Sequence, residues 1–212
     1  PHSDAPSPGR VGLRTPALAI GLLGISVLAG LVAYLPYSLS QFPVGIDAHW
    51  YSEKLQELAS ASSPLDVLLR DPHAIYLLFL YAIQSATQLS ARGVMMWGAV
   101  ALSVLLVLGT FFAVKETGQE ERVSLLAASF GCVSAQTLVG TLASLYANWL
   151  AFAEMLFFFG FLLRAMRSSR RSDIIASVAL SVAMMVTHPA TWSVFMLALM
   201  IWLAMSALRA RP

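Results

Sequence analysis

Charge is scarce in this sequence: Asp, Glu, Lys and Arg together make up 11% of its 212 residues. A soluble domain carries about a quarter charged residues, because its surface must be hydrated. A water-facing surface is therefore excluded for most of the chain, and a lipid-facing one is implied. Cysteine is nearly absent too. The single Cys132 lies in an apolar stretch and can close no internal disulfide, so it reads as a small packed residue. No internal repeat or second soluble domain is visible, which argues against repeat arrays and against transporters built from repeated halves. The formal charge is only +2, and eleven of the 13 basic residues are Arg, most in short clusters between apolar runs. That placement fits loops at a membrane face and not a nucleic-acid groove, so no nucleic-acid partner is expected.

What the sequence does have is apolar length, with 58% hydrophobic residues and a mean hydropathy of +0.74. A spanning helix needs about 20 mostly apolar residues. Six segments meet this well or tolerably: Pro16–Leu39, Val94–Val114, Val123–Val139, Trp149–Met166, Ile174–Thr187 and Ala190–Leu208. Residues 1–15 are rich in Pro, Ser and Gly and read as a flexible tail. The apolar run that follows lacks a small-residue cleavage site, so it is expected to be a retained span and not a signal peptide. Ile174 to Leu208 is too long for one span, and His188-Pro189 lets it turn into two. The expected fold is an all-α polytopic membrane bundle of six transmembrane helices, forming a single domain over residues 16–212.

Pro72–Leu89 is ambiguous, because its apolar core of Ala74 to Ile83 is followed by Gln84, Ser85, Thr87 and Gln88. Charge placement decides its fate. If it does not span and the N-terminus is cytoplasmic, Arg10, Arg14, Lys115, Arg122, Arg164, Arg167, Arg170, Arg171, Arg209 and Arg211 lie inside. Only Lys54, Arg70 and Arg92 then lie outside. A seventh span would invert every later loop. Basic residues accumulate on the cytoplasmic side, so six spans with both termini cytoplasmic are expected, in a plasma (inner) membrane. One large outside loop results, over residues 40–93, with interfacial helices at 48–59 and 72–89.

Polar chemistry concentrates in that loop. Pro43 and Gly45 permit a turn, and Asp47 sits where it could cap the following amphipathic helix. Asp47 is equally a carboxylate at the membrane face, placed to act as a general base or metal ligand. His49 follows two residues on, and Asp71 and His73 repeat this spacing, which by itself is a weak metal signal. Topology brings Asn148, at the start of the fourth span, and His188, at the end of the fifth, to the same side. Glu154 lies about one and a half turns into the fourth span, where a carboxylate either lines a polar cleft or pairs with a neighbouring helix.

With these residues in place, the organisation resembles the GT-C superfamily of membrane glycosyltransferases, which includes protein O-mannosyltransferases, aminoarabinose transferases and oligosaccharyltransferase catalytic subunits. It looks like their N-terminal transmembrane module. The stretch Pro43-Val44-Gly45-Ile46-Asp47-Ala48-His49-Trp50-Tyr51 is similar to the family's acidic element just after the first span. Asp71-Pro72-His73-Ala74-Ile75-Tyr76-Leu77-Leu78 resembles its juxtamembrane helix, with Pro and His transposed. The likeness continues through Gly140 to Met155 and Thr187-His188-Pro189-Ala190. Where many relatives carry a second Asp near the fourth span, this chain has Asn148.

The resemblance implies transfer of a sugar from a polyprenyl-phosphate carrier to an acceptor at the outer face, by this chain or by a longer enzyme of which it is the N-terminal module. Asp47 would be the general base. His49, Arg70, His73, Arg92, Asn148, Glu154 and His188 are the candidate substrate-binding residues, with Arg70, Arg92 and His188 available to a phosphate. No cofactor is required by the pattern; a divalent metal is compatible with the chemistry but not indicated. Expected partners are membrane lipid and the polyprenyl-phosphate-linked donor, with further transmembrane segments or subunits open. The competing reading is a non-catalytic helical scaffold or accessory subunit of a larger membrane complex.

Overall fold

The computed structural model describes residues 15–41, 44–143 and 145–209. The expected tail from Pro1 to Arg14, Pro43 of the expected turn, and Arg211 lie outside the described residues. Among the described residues the chain forms ten helices and no strand. Low charge and long apolar runs leave the backbone only one way to satisfy its own hydrogen bonds in lipid without a closed barrel, and that is helix.

The first span is α1 (Thr15–Leu39). The loop after it folds into α2 (Ala48–Ser60), α3 (Pro64–Leu69) and α4 (Ala74–Thr87). The next long helix is α5 (Ala91–Glu116), followed by α6 (Glu121–Cys132) and α7 (Ala135–Ala143). The chain closes with α8 (Tyr146–Ser168), α9 (Arg171–Thr187) and α10 (Pro189–Arg209). Five segments are long and apolar enough to cross a membrane: Pro16–Leu39, Ala91–Glu116, Glu121–Ala143, Tyr146–Ser168 and Pro189–Arg209. The chain is thus an all-α membrane bundle. The remaining expected span, Ile174–Thr187, falls on the 17-residue α9, which is a residue short of that length and begins with Arg171 and Asp173.

Sequence boundaries and structure agree to within a few residues, with two informative differences. The third expected span, Val123–Val139, is broken at Val133-Ser134 into α6 and α7. Hydroxyls take up the freed backbone groups there: the Thr137 amide donates to Ser134 Oγ at 3.2 Å, and Thr137 Oγ1 donates to the Gly131 carbonyl at 2.8 Å. The short α3 was not expected; Pro64 occupies its first turn, where a missing N–H costs nothing. The 14-residue α4 forms a helix inside the segment 72–89. At 1.5 Å per residue it is about 21 Å long, against a hydrocarbon core of about 30 Å.

Packing radiates from α5 and α8, the two most buried of the long helices. α5 meets α1, α6 and α8, while α8 meets α9 and α10. Two glycines allow the α5–α8 approach: a Cβ on Gly109 would lie 3.1 Å from Leu156 Cβ, and one on Gly160 would lie 2.4 Å from the Phe112 ring. The bundle's ends differ in chemistry. At one end, Arg164 Nη2 pairs with Asp173 at 2.6 Å, Lys115 with Glu121 at 3.5 Å, and Arg167 with Glu116. At the other end the α1–α5 loop packs over the helix termini with tyrosines and histidines.

Candidate functional site

Four tyrosines organise the loop end of the bundle. Tyr37 of α1, Tyr51 of α2, Tyr76 of α4 and Tyr146 of α8 are all 3% exposed or less. Tyr51, Tyr76 and Tyr146 pack ring on ring with centroids 5.2–5.6 Å apart. Apolar rings let them fill a core, and a buried hydroxyl usually finds a partner; three of the four do, whereas Tyr76 Oη has none. Tyr146 Oη lies against Tyr37 Oη and donates to the Val44 carbonyl at 3.3 Å. Tyr51 Oη accepts from the Ala147 amide at 3.4 Å.

Asp47 stands at the N-cap position of α2, as its spacing suggested, but its side chain makes no capping hydrogen bond. Gly45 two residues earlier has a φ of +111°, a left-handed conformation that suits only glycine well, so Gly45 lets the chain turn just before Asp47. Tyr51 is one helical turn beyond Asp47. Burial raises its phenol above the ordinary value; the Ala147 amide partly offsets this, and the nearby Asp47 and Asp71 carboxylates add to it.

A second group gathers where α4, α8, α9 and α10 meet. The His73 and His188 rings stack at 5.7 Å with 7° between planes, and Trp50 meets His73 edge-on at 5.6 Å. His73 Nδ1 lies 3.5 Å from the Thr187 carbonyl, and its amide donates to Asp71 Oδ1 at 2.9 Å. His188 closes α9 and caps α10: its Nδ1 accepts from the Thr191 amide at 3.2 Å and lies 2.9 Å from Thr191 Oγ1. Thr191 Oγ1 also lies 3.5 Å from Asn148 Oδ1. Burial lowers the His188 imidazole from its ordinary value of 6.5, and the neighbouring His73 lowers it further. A neutral ring is what an acceptor at Nδ1 requires.

This cluster sits at the polar end of an apolar groove of about 520 Å³ between α7, α8 and α10. Asn148, His188, Thr191 and Gln136 supply its polar lining; Phe152, Met155, Val194 and Phe195 supply apolar walls. Deeper in α8, Glu154 is 9% exposed and accepts from Thr187 Oγ1 at 3.1 Å, while its Oε2 has no partner. Thr187 therefore ties Glu154 to the same junction that holds His73.

Of the residues that the sequence nominated, the structure brings His73, Asn148 and His188 together, with Glu154 linked to them through Thr187. The others lie elsewhere. His49 points to solvent and pairs with Glu53 at 3.0 Å. Arg70 lines a separate polar cavity of about 460 Å³ with Lys54, Glu57, Asp66 and Asp71. Arg92 Nη2 donates to the Tyr37 carbonyl at 2.6 Å and to the Ser40 carbonyl at 2.5 Å, closing the end of α1. Sequence reading placed Trp50 and Tyr146 at the outer face without giving them a role in the site, and it missed Thr191 and the packing of the tyrosines; Tyr near the loop ends of α1, α2, α4 and α8 was the available signal. Among the described residues no three His, Cys, Asp or Glu side chains converge on a metal-sized site.

A family model described as oligosaccharyl transferase STT3, N-terminal, matches residues 47–210, beginning at Asp47 and running through α10. No curated protein and no solved structure matches the chain.

Proposed function

The chain belongs to the oligosaccharyl transferase STT3 family, a GT-C family, and from that premise we propose that it moves a sugar from a polyprenyl-phosphate carrier to an acceptor at the loop face of the membrane. The family match over residues 47–210 carries this reading. In it, Asp47 accepts the proton of the acceptor nucleophile as that nucleophile attacks the anomeric carbon. The bond from sugar to carrier phosphate breaks, and the carrier leaves as the phosphate. Support for Asp47 is that α2 does not use its carboxylate as a cap.

His188, His73 and Asn148 would hold the phosphate, with the apolar walls of the neighbouring groove facing the isoprenoid chain. Arg70 remains an exposed cation available from the loop, whereas Arg92 is committed to the end of α1. Among the described residues no three His, Cys, Asp or Glu side chains converge. The same reading takes residues 16–212 as one transmembrane domain after a cytoplasmic tail. Both termini are cytoplasmic in a plasma membrane, on the strength of the basic-residue bias.

A second reading has one observation in its favour. α10 is as apolar as the other spans yet has no buried residue, so further helices packing there would make this chain an accessory scaffold of a larger complex. Transfer of labelled sugar from a polyprenyl-phospho-sugar to an acceptor, by purified protein in detergent or nanodiscs, tests both. Turnover that Asp47→Asn abolishes supports the transferase. Full activity in that variant removes Asp47 from the mechanism, and absent turnover with a co-purifying partner supports the scaffold.

A further inference from the structure

Three consecutive residues open α8, and each reaches a different part of the loop end. Tyr146 donates from Oη to the Val44 carbonyl at 3.3 Å, three residues before Asp47. The Ala147 amide donates to Tyr51 Oη at 3.4 Å, one helical turn after Asp47. Asn148 lies 3.5 Å from Thr191 Oγ1, which in turn lies 2.9 Å from His188 Nδ1. The segment carrying Asp47 is thus gripped on both sides by the same turn that contacts the histidine cluster.

We infer that the first turn of α8 is a yoke that sets Asp47 against the His73–His188–Asn148 cluster, with Tyr146 as the positioning residue. Within α2, Trp50 adds an edge-on ring contact to His73 at 5.6 Å, while α8 supplies hydrogen bonds on either side of Asp47. The Asp47 side chain makes no cap bond, and Gly45 leaves the turn before it pliable. Tyr146 itself is enclosed: it is 0% exposed, set against Tyr37 Oη, and packed on the rings of Tyr51 and Tyr76. A buried phenol bonded to the turn before Asp47 fixes where the carboxylate stands relative to groups on α9 and α10. The inference rests on the transferase reading for the importance of Asp47, but the yoke itself does not.

Tyr146→Phe removes the hydroxyl and keeps the ring. Two measurements on the purified full chain test it. Amide hydrogen exchange over residues 44–51 should quicken about three- to tenfold, as expected for losing the one hydrogen bond to that segment, at the Val44 carbonyl, with α5 and the rest of α8 unchanged. In the sugar-transfer assay kcat should fall about tenfold with donor KM unchanged, because alignment and not binding is lost. Unchanged exchange at 44–51, or a rise of equal size throughout the bundle, overturns the yoke. A raised donor KM with unchanged kcat overturns the positioning role. If Tyr146→Phe does not fold, Tyr51→Phe releases the Ala147 tie alone, and the same local rise is expected. Should the wild-type protein show no turnover, the transferase reading fails while exchange still decides whether the yoke exists.

Discussion

Replacing Arg92 separates two roles that the sequence could not tell apart, phosphate ligand and structural clamp. The guanidinium is half-buried between α5 and the end of α1, with Nη2 2.6 Å from the Tyr37 carbonyl and 2.5 Å from the Ser40 carbonyl. Hydrogen bonds from charged donors contribute about 1.5–3 kcal/mol each, and a cation at a helix C-terminus adds about 0.3–1 kcal/mol. Partial exposure lets water replace some of this, so the lower figures apply. Arg92→Leu should cost about 3 kcal/mol. For a chain of this size that is a fall in Tm of roughly 6–12 °C, measured by tryptophan fluorescence in detergent. Arg92→Lys, with a single ammonium in place of the planar fork, should lose about half as much. Donor KM should stay within twofold of wild type in either variant that folds. An unchanged Tm together with a donor KM raised tenfold would refute the clamp and return Arg92 to the phosphate.

Two further outcomes follow from the packing and the histidines. Gly160→Ala should destabilise by about 1–3 kcal/mol, because its new Cβ would lie 2.4 Å from a Phe112 ring already hemmed in by Phe161 at 4.9 Å; in a Phe112→Ala background most of that cost should vanish in the same thermal assay. His188 is held below its ordinary 6.5 when folded, so the unfolded chain binds the proton more readily and acid favours unfolding. Thermal stability should therefore be fully present above pH 6.5 and decline by about 1 kcal/mol, the value of one helix cap, as pH falls through the lowered pKa. His188→Asn should keep a cap and lose that pH dependence.

Much of the fold was legible because bilayer thickness fixes how long an apolar run must be. α1, α5, α8 and α10 begin and end within three residues of the segments chosen by hydropathy. The break between α6 and α7 was not legible, since Val133-Ser134 contains neither Pro nor Gly. Its stability comes from Thr137 and Ser134 satisfying backbone groups locally. α3 was missed for a similar reason: six residues are too few for periodicity to register, and only Pro64 marks its start.

The candidate site divides in the same way. Sequence alone determined that Asp47, His73, Asn148 and His188 belong to one end of the bundle, because span counting decides which helix termini share a face. It also located the turn before Asp47 through Gly45. Which of the polar residues actually meet was decided by tertiary packing. His49 and His73 were equivalent by spacing, yet His49 pairs with Glu53 in solvent while His73 stacks on His188. By sequence Arg92 was open between an interface anchor and a phosphate ligand; it is a clamp because α1 ends beside it. Hydropathy reports how deep a residue can lie in a membrane and carries no information on which helix face turns toward which neighbour. That choice is made by side-chain shape, by close approaches such as Gly109 and Gly160 across α5 and α8, and by hydrogen bonds between buried polar groups such as Tyr146 Oη and the Val44 carbonyl.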